Sequence, residues 1–163
     1  MLEAHGKTLF DHSVLSFSKY FETEHFIFAI RDIYDTRQFV LNGIKRLKIK
    51  NADIIILENE TRGQAETVYI AAKPYEGTGQ DLTIFNIDTF RPGFTFPKFE
   101  NSDGFLEVFH GTGDHWSFAE PETCSSTRVI RTTEKNRISN LCSTGLYYFS
   151  NISDFTNIFE SYS

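Results

Sequence analysis

The sequence predicts an α/β domain: an open, mostly parallel sheet with helices on both faces and a strand-rich second half. Three observations carry this. Phe26-Ile27-Phe28-Ala29-Ile30, Ile54-Ile55-Ile56-Leu57 and Leu82 to Ile87 are short continuous apolar runs, which suit strands covered on both faces. Segments of helical periodicity lie before and between those runs. After Asp88 the texture changes to short strand patterns separated by polar, turn-like stretches.

In chain order, Leu9 to Tyr20 reads as a helix, because Phe10, Val14 and Phe17 share one face at spacings of four and three. The run Phe26–Ile30 follows as a strand. Asp35-Thr36 offers an N-cap to a helix whose stripe is Phe39, Val40, Ile44 and Leu47. Ile54–Leu57 is a second strand, Thr61 to Ala72 a second crossover helix closed by Lys73-Pro74, and Leu82 to Ile87 a third strand. This alternation is βαβ wiring. Beyond it, Phe90 to Phe99 is a loop rich in Pro and Phe. Gly104–Phe109, Trp116–Ala119, Arg128–Arg131 and Gly145–Phe149 read as strands, and Ser153-Asp154 opens an amphipathic helix carrying Phe155, Ile158 and Phe159. Residues 1–163 form one domain of ordinary size.

The net charge of -6 argues against a nucleic-acid partner, since phosphate backbones attract a surplus of Lys and Arg. It does not argue against a nucleotide, because a bound metal offsets local carboxylates. No apolar run approaches the roughly 18 residues of a membrane helix. The first residues lack a basic stretch leading into an apolar core, so the expected location is cytoplasmic. Cys124 and Cys142 fit no metal spacing and read as reduced thiols, with a disulfide between them as the alternative. The 17 Phe residues point to a rigid aromatic core rather than to a ligand.

Ligands of open parallel sheets bind beyond the carboxyl ends of the strands. Two segments fall there. Asp88 ends the apolar run Ile84-Phe85-Asn86-Ile87. A carboxylate in that position suits Mg²⁺ shared with substrate phosphates; alternatively it caps the next turn or pairs with Arg91. Gly63-Gln64 opens a helix. Gly permits close backbone approach, the helix start favours phosphate, and Gln offers a donor and an acceptor to a base edge; alternatively the pair is ordinary helix-entry chemistry. Glu134-Lys135 lies in a polar turn, where a lysine is usually only solvated. Among the histidines, His110 and His115 flank Gly111-Thr112-Gly113-Asp114 without a zinc spacing.

Together these segments resemble the sugar-phosphate nucleotidyltransferase family, also called nucleoside-diphosphate-sugar pyrophosphorylases. Met1-Leu2-Glu3-Ala4-His5-Gly6-Lys7-Thr8-Leu9 is similar to a family stretch in which Pro stands where Thr8 does. Thr61-Arg62-Gly63-Gln64-Ala65-Glu66-Thr67-Val68 resembles the loop and helix that meet the nucleobase. Asn86-Ile87-Asp88 resembles the strand end that holds Mg²⁺ and the nucleotide phosphates. Glu134-Lys135 resembles a pair whose Lys contacts the sugar phosphate, and Ser143 to Phe149 the strand whose Gly145 lies against the sugar.

The resemblance implies a Rossmann-like sheet of the nucleotide-diphospho-sugar transferase type. It also implies nucleotidyl transfer from a nucleoside triphosphate to a sugar 1-phosphate or comparable molecule, with release of pyrophosphate, in nucleotide-sugar or polysaccharide biosynthesis. Its expected site is Asp88 for Mg²⁺, Gly63, Gln64, Asn86 and Asp88 for the nucleotide, and Glu134, Lys135 and Gly145 for the acceptor, with Lys135 as the catalytic cation. The family's Gly-x-Gly-x-Arg loop and its second metal-binding Asp have no counterpart in the sequence, so the domain is expected to be incomplete at both ends, and whether it is active on its own stays open. Two other readings stay open. One is a non-catalytic relative that covers an exposed sheet edge by self-association or with a partner. The other is a glycosyltransferase using Asn86-Ile87-Asp88 as an Asp-x-Asp-like metal site.

Overall fold

Residues 3–98 and 102–162 are described by the structure, a computed structural model. Strands β1 (Glu3–Ala4) and β2 (Lys7–Thr8) form a tight antiparallel hairpin. His5 and Gly6 turn it, both at positive φ (51° and 73°), as two-residue hairpin loops require. Thr8 then caps helix α1 (Leu9–Val14) with a capping box: its Oγ1 accepts from Asp11 N at 3.1 Å, and Asp11 Oδ2 accepts from Thr8 N at 3.2 Å. Thus the threonine that departs from the family stretch is the residue that starts the helix. Burial works to raise the Asp11 pKa, but hydrogen bonds from Arg46 and Thr8 outweigh it and hold the carboxyl below its ordinary value.

The helix expected over 9–20 occurs in two pieces. After α1 the chain tightens into a 3₁₀ segment, Leu15–Tyr20, with Phe17 off helical geometry at φ -103°, ψ 21°. Phe10, Val14 and Phe17 are all buried, as their spacing predicts.

Strand β3 (His25–Ile30), helix α2 (Thr36–Leu47) and strand β4 (Asn51–Ile56) make a βαβ element, with β3 and β4 parallel in register from His25↔Asn51 to Ile30↔Ile56. Asp35 precedes α2 in the left-handed region and makes no side-chain cap. The capping is done by Asp32, whose Oδ1 accepts from Arg37 N at 2.9 Å. Helix α3 (Gln64–Ala72) follows and packs on β3.

The third strand corrects the expected wiring. Strand β5 spans only Leu82–Ile84 and pairs antiparallel with a late strand. Strands β6 (Gly104–His110), β7 (Ser117–Pro121), β8 (Val129–Glu134) and β9 (Leu141–Phe149) complete an antiparallel five-stranded sheet around β9. The mixed α/β class therefore holds, while parallel pairing is confined to β3 and β4 among the described residues. The physical reason is adjacency: β5 meets β9 on one side, and among the described residues no strand stands between it and β3 on the other. Helix α4 (Ile152–Ser161) closes the chain, capped by Asn151, whose side chain accepts from Ser153 N.

The core joins these parts. Phe10, Val14, Phe17, Phe21, Val40, Ile49, Phe94 and Leu146 form one buried cluster, rich in phenylalanine as the composition suggests. Cys124 is exposed and Cys142 buried, and both are free thiols. No helix among the described residues is long and apolar enough to cross a membrane.

Candidate functional site

A cavity of about 930 Å³ opens between β3 and the segment that carries β5. Gln64, Asn86 and Asp88 all line it. The sequence placed these residues at two separate strand ends, and the fold brings them to one place. Gln64 sits at the first position of α3 and donates from Nε2 to Asn86 Oδ1. Asp88 is exposed and makes no hydrogen bond or ion pair among the described residues. The expected alternative, an Asp88–Arg91 pair, is not formed: Arg91 bonds Glu107 instead, with Nε 2.9 and 2.8 Å from its two carboxylate oxygens.

The segment 86–91 is held from two sides, and this clamp was not read from the sequence. On one side, Ser13 Oγ donates to Asn86 O at 2.9 Å and Arg91 N donates to Ser16 Oγ at 2.8 Å. Both serines are buried. On the other side, Thr89 Oγ1 donates to Thr144 O at 3.4 Å, and Thr144 Oγ1 donates to Glu107 Oε2 at 2.9 Å. A usable signal did exist: Ser13 lies on the same helical face as Phe10, Val14 and Phe17, so a hydroxyl there had to be buried and bonded.

Glu107 ties the clamp together. Burial pushes its pKa up, but the hydrogen bonds from Arg91 and Thr144 win and hold it below the ordinary glutamate value. A carboxyl depressed on folding adds stability above its unfolded pKa, near 4.3, and that contribution disappears as pH falls through the folded value. Glu107→Gln is therefore expected to cost about 1 kcal/mol at pH 7, reduced by the partial exposure of Arg91, and less near pH 3. Denaturant melts of both proteins at the two pH values check this; an equal deficit at both would refute the role of the charge.

Gly145 belongs to the same cluster by a different route. It has φ 86°, and a Cβ added there would strike Asn86 Nδ2. The glycine thus provides the space that the Asn86 amide occupies. Gly63 differs: its backbone is extended, and a Cβ would meet nothing within 4 Å, so that side of the loop is open. Glu134 and Lys135 stay apart from the cavity. They pair with each other at 3.2 Å with side chains 72% exposed, and Lys135 takes φ 52° at the end of β8. No group of three or more His, Cys, Asp or Glu side chains suited to a metal ion is gathered among the described residues, around His110 and His115 or elsewhere.

The whole arrangement has close structural counterparts. The chain superposes with a TM-score of 0.94, at 53% identity, on the crystal structure of the nucleoside-diphosphate-sugar pyrophosphorylase from Vibrio cholerae RC9, covering 99% of this chain and 68% of that one. A protein named as a glucose-1-phosphate thymidylyltransferase from Bacillus anthracis, crystallised with a sucrose, matches with a TM-score of 0.70 at 14% identity, over 98% of this chain and 65% of its own. The second likeness shows the fold alone. No family profile matches the chain, and no curated protein matches it.

Proposed function

The chain belongs to the nucleoside-diphosphate-sugar pyrophosphorylase family, and on that premise we propose that it serves nucleotidyl transfer from a nucleoside triphosphate to a sugar 1-phosphate or a similar phosphorylated small molecule. An acceptor phosphate oxygen attacks the α-phosphorus. The bond from that phosphorus to the bridging oxygen breaks, and pyrophosphate leaves with the electron pair. The observation that carries the reading is the convergence of Gln64, Asn86 and Asp88 on one cavity.

The roles follow from the chemistry of each group. Gln64 bonds Asn86 through its amide N–H, and its carbonyl oxygen remains to accept from a base edge. The first turn of α3 offers free N–H groups toward phosphate. Asp88, without a competing cation, suits Mg²⁺, which is commonly held by one or two carboxylates plus substrate phosphates. The metal would neutralise charge on the triphosphate. Lys135 is the expected cation for the acceptor phosphate; its present partner is an exposed Glu134, a pairing of little strength that a phosphate would displace.

A nucleoside triphosphate with Mg²⁺ is expected to raise the melting temperature, and Asp88→Ala to abolish the rise. No rise with any of the four ribonucleotides or dTTP would sink the proposal. Pyrophosphate release with a sugar 1-phosphate separates catalysis from binding alone.

A further inference from the structure

Strand β9 leaves its ladder at one place. Leu106 pairs with Tyr147 and Val108 with Ser143, so a single residue of β6, Glu107, stands opposite Thr144, Gly145 and Leu146. Among the described residues those three have no register partner on β5 or β7 either. A bulge of this kind bends its strand and re-aims what the strand carries. Here it carries Gly145, at φ 86°.

Side chains replace the missing pairing. Leu146 N donates to Thr144 Oγ1 at 3.4 Å, and Thr144 Oγ1 donates to Glu107 Oε2 at 2.9 Å. The same Oε2 accepts from Arg91 Nε at 2.8 Å, and Oε1 accepts from Arg91 Nη2. Arg91 N in turn donates to Ser16 Oγ at 2.8 Å. A continuous chain of hydrogen bonds therefore runs from the backbone of the bulge, through Glu107, to the segment that carries Asp88. Each bond that reaches the Glu107 side chain comes from a donor, and a carboxylate accepts through both oxygens where an amide has only one. Those oxygens are filled by the protein itself, so Glu107 acts through its neighbours and not on a ligand.

We propose that Glu107 is a positioning residue that makes the bulge 144–146 and the segment 86–91 respond as one body, so that nucleotide and acceptor strengthen each other's binding. The inference rests on the site assignment above, with Asp88 on the nucleotide side and Gly145 on the acceptor side. A ligand that orders one part then spares the second ligand the cost of ordering the other. By linkage each raises the affinity of the other by the same factor.

The test uses the intact chain and the Mg²⁺ complexes of the four ribonucleoside triphosphates and dTTP. The triphosphate that most raises the melting temperature is chosen, and hydrogen exchange at Gly145 and Leu146 is measured with and without it. In the unmodified chain it is expected to slow exchange at both amides at least about fivefold, the lower end of ordinary coupling. Thr144→Val removes the hydroxyl and leaves the Arg91–Glu107 pair in place. It is expected to keep the nucleotide affinity within about threefold and to cut the slowing to less than about twofold. Thr144→Ser keeps the hydroxyl and is expected to restore the slowing. A link that only supported the fold would change exchange equally with and without nucleotide, and the ratio would stay as it was. Glu107→Gln gives the same comparison at the centre of the chain of bonds, and decides alone if Thr144→Val does not fold. Full slowing in the variants would overturn the proposal and assign the coupling to the Asn86 amide that lies against Gly145. So would the absence of slowing in the unmodified chain despite a rise in melting temperature. If no triphosphate raises the melting temperature, the functional reading falls and this inference falls with it.

Discussion

Gly145→Ala is expected to weaken nucleotide binding about tenfold while lowering the melting temperature by only about 5 °C. The two numbers have separate origins. The backbone at 145 has φ 86°, where an alanine costs about 1–2 kcal/mol, or a few degrees for a chain of this size. The added methyl collides with Asn86 Nδ2, and the amide is the mobile partner. It swings away and leaves Gln64, whose Nε2 bonds it. Losing that arrangement at the cavity rim is worth about 1.4 kcal/mol, which is tenfold in affinity. A double-mutant cycle gives the sharper reading. With Asn86 already truncated to alanine, Gly145→Ala should cost no further affinity. If it costs the same as before, Gly145 acts on the ligand directly and not through Asn86.

The neighbouring residue is expected to behave in the opposite way. Leu146 is 0% exposed and belongs to the central cluster with Phe10, Phe17 and Phe94. Leu146→Ala removes buried methyl groups and leaves a void, at a cost of about 3 kcal/mol. That corresponds to a fall of about 6–12 °C. The side chain does not line the cavity, so the rise in melting temperature on adding nucleotide should survive. Thermal melts with and without nucleotide thus separate adjacent positions on β9: 145 weakens the response at a given nucleotide concentration and keeps most of the stability, and 146 does the reverse. Loss of the response at both would mean that β9 is positioned as one unit.

The local half of the fold was legible because its signals are local. The stripe Phe10, Val14, Phe17 and the runs Phe26–Ile30 and Ile54–Leu57 lead to buried or strand residues as their periods imply, except that β4 stops at Ile56. Strand β5 was misread in direction and length. An apolar run says that a segment is covered, but its pairing is decided by what stands beside it, and Tyr147 to Phe149 are more than sixty residues away. Of the candidate cluster, Asp88 was legible as a polar group at the end of an apolar run and Gln64 as part of a helix opening, whereas Asn86 entered only through the family resemblance; that the three line one cavity was not legible. Glu107 was not, because it looks like any outward residue of an alternating strand until Arg91 and Thr144 are beside it. Lys135 was legible only as part of a polar turn, and its left-handed backbone adds no link to the cavity.

The two serines that grip segment 86–91 have a consequence for the order in which the protein assembles. Ser13 and Asn86 are separated by 73 residues, and Ser16 and Arg91 by 75. Contacts of such long range carry a heavy loop-closure cost and form late. During synthesis the serine grip can close once segment 86–91 has emerged. The opposite grip, through Thr144, must wait for the 55 residues that separate Thr89 from Thr144. A ribosome stalled between those two points would display α1 and β3 folded while Asp88 is held on one side only.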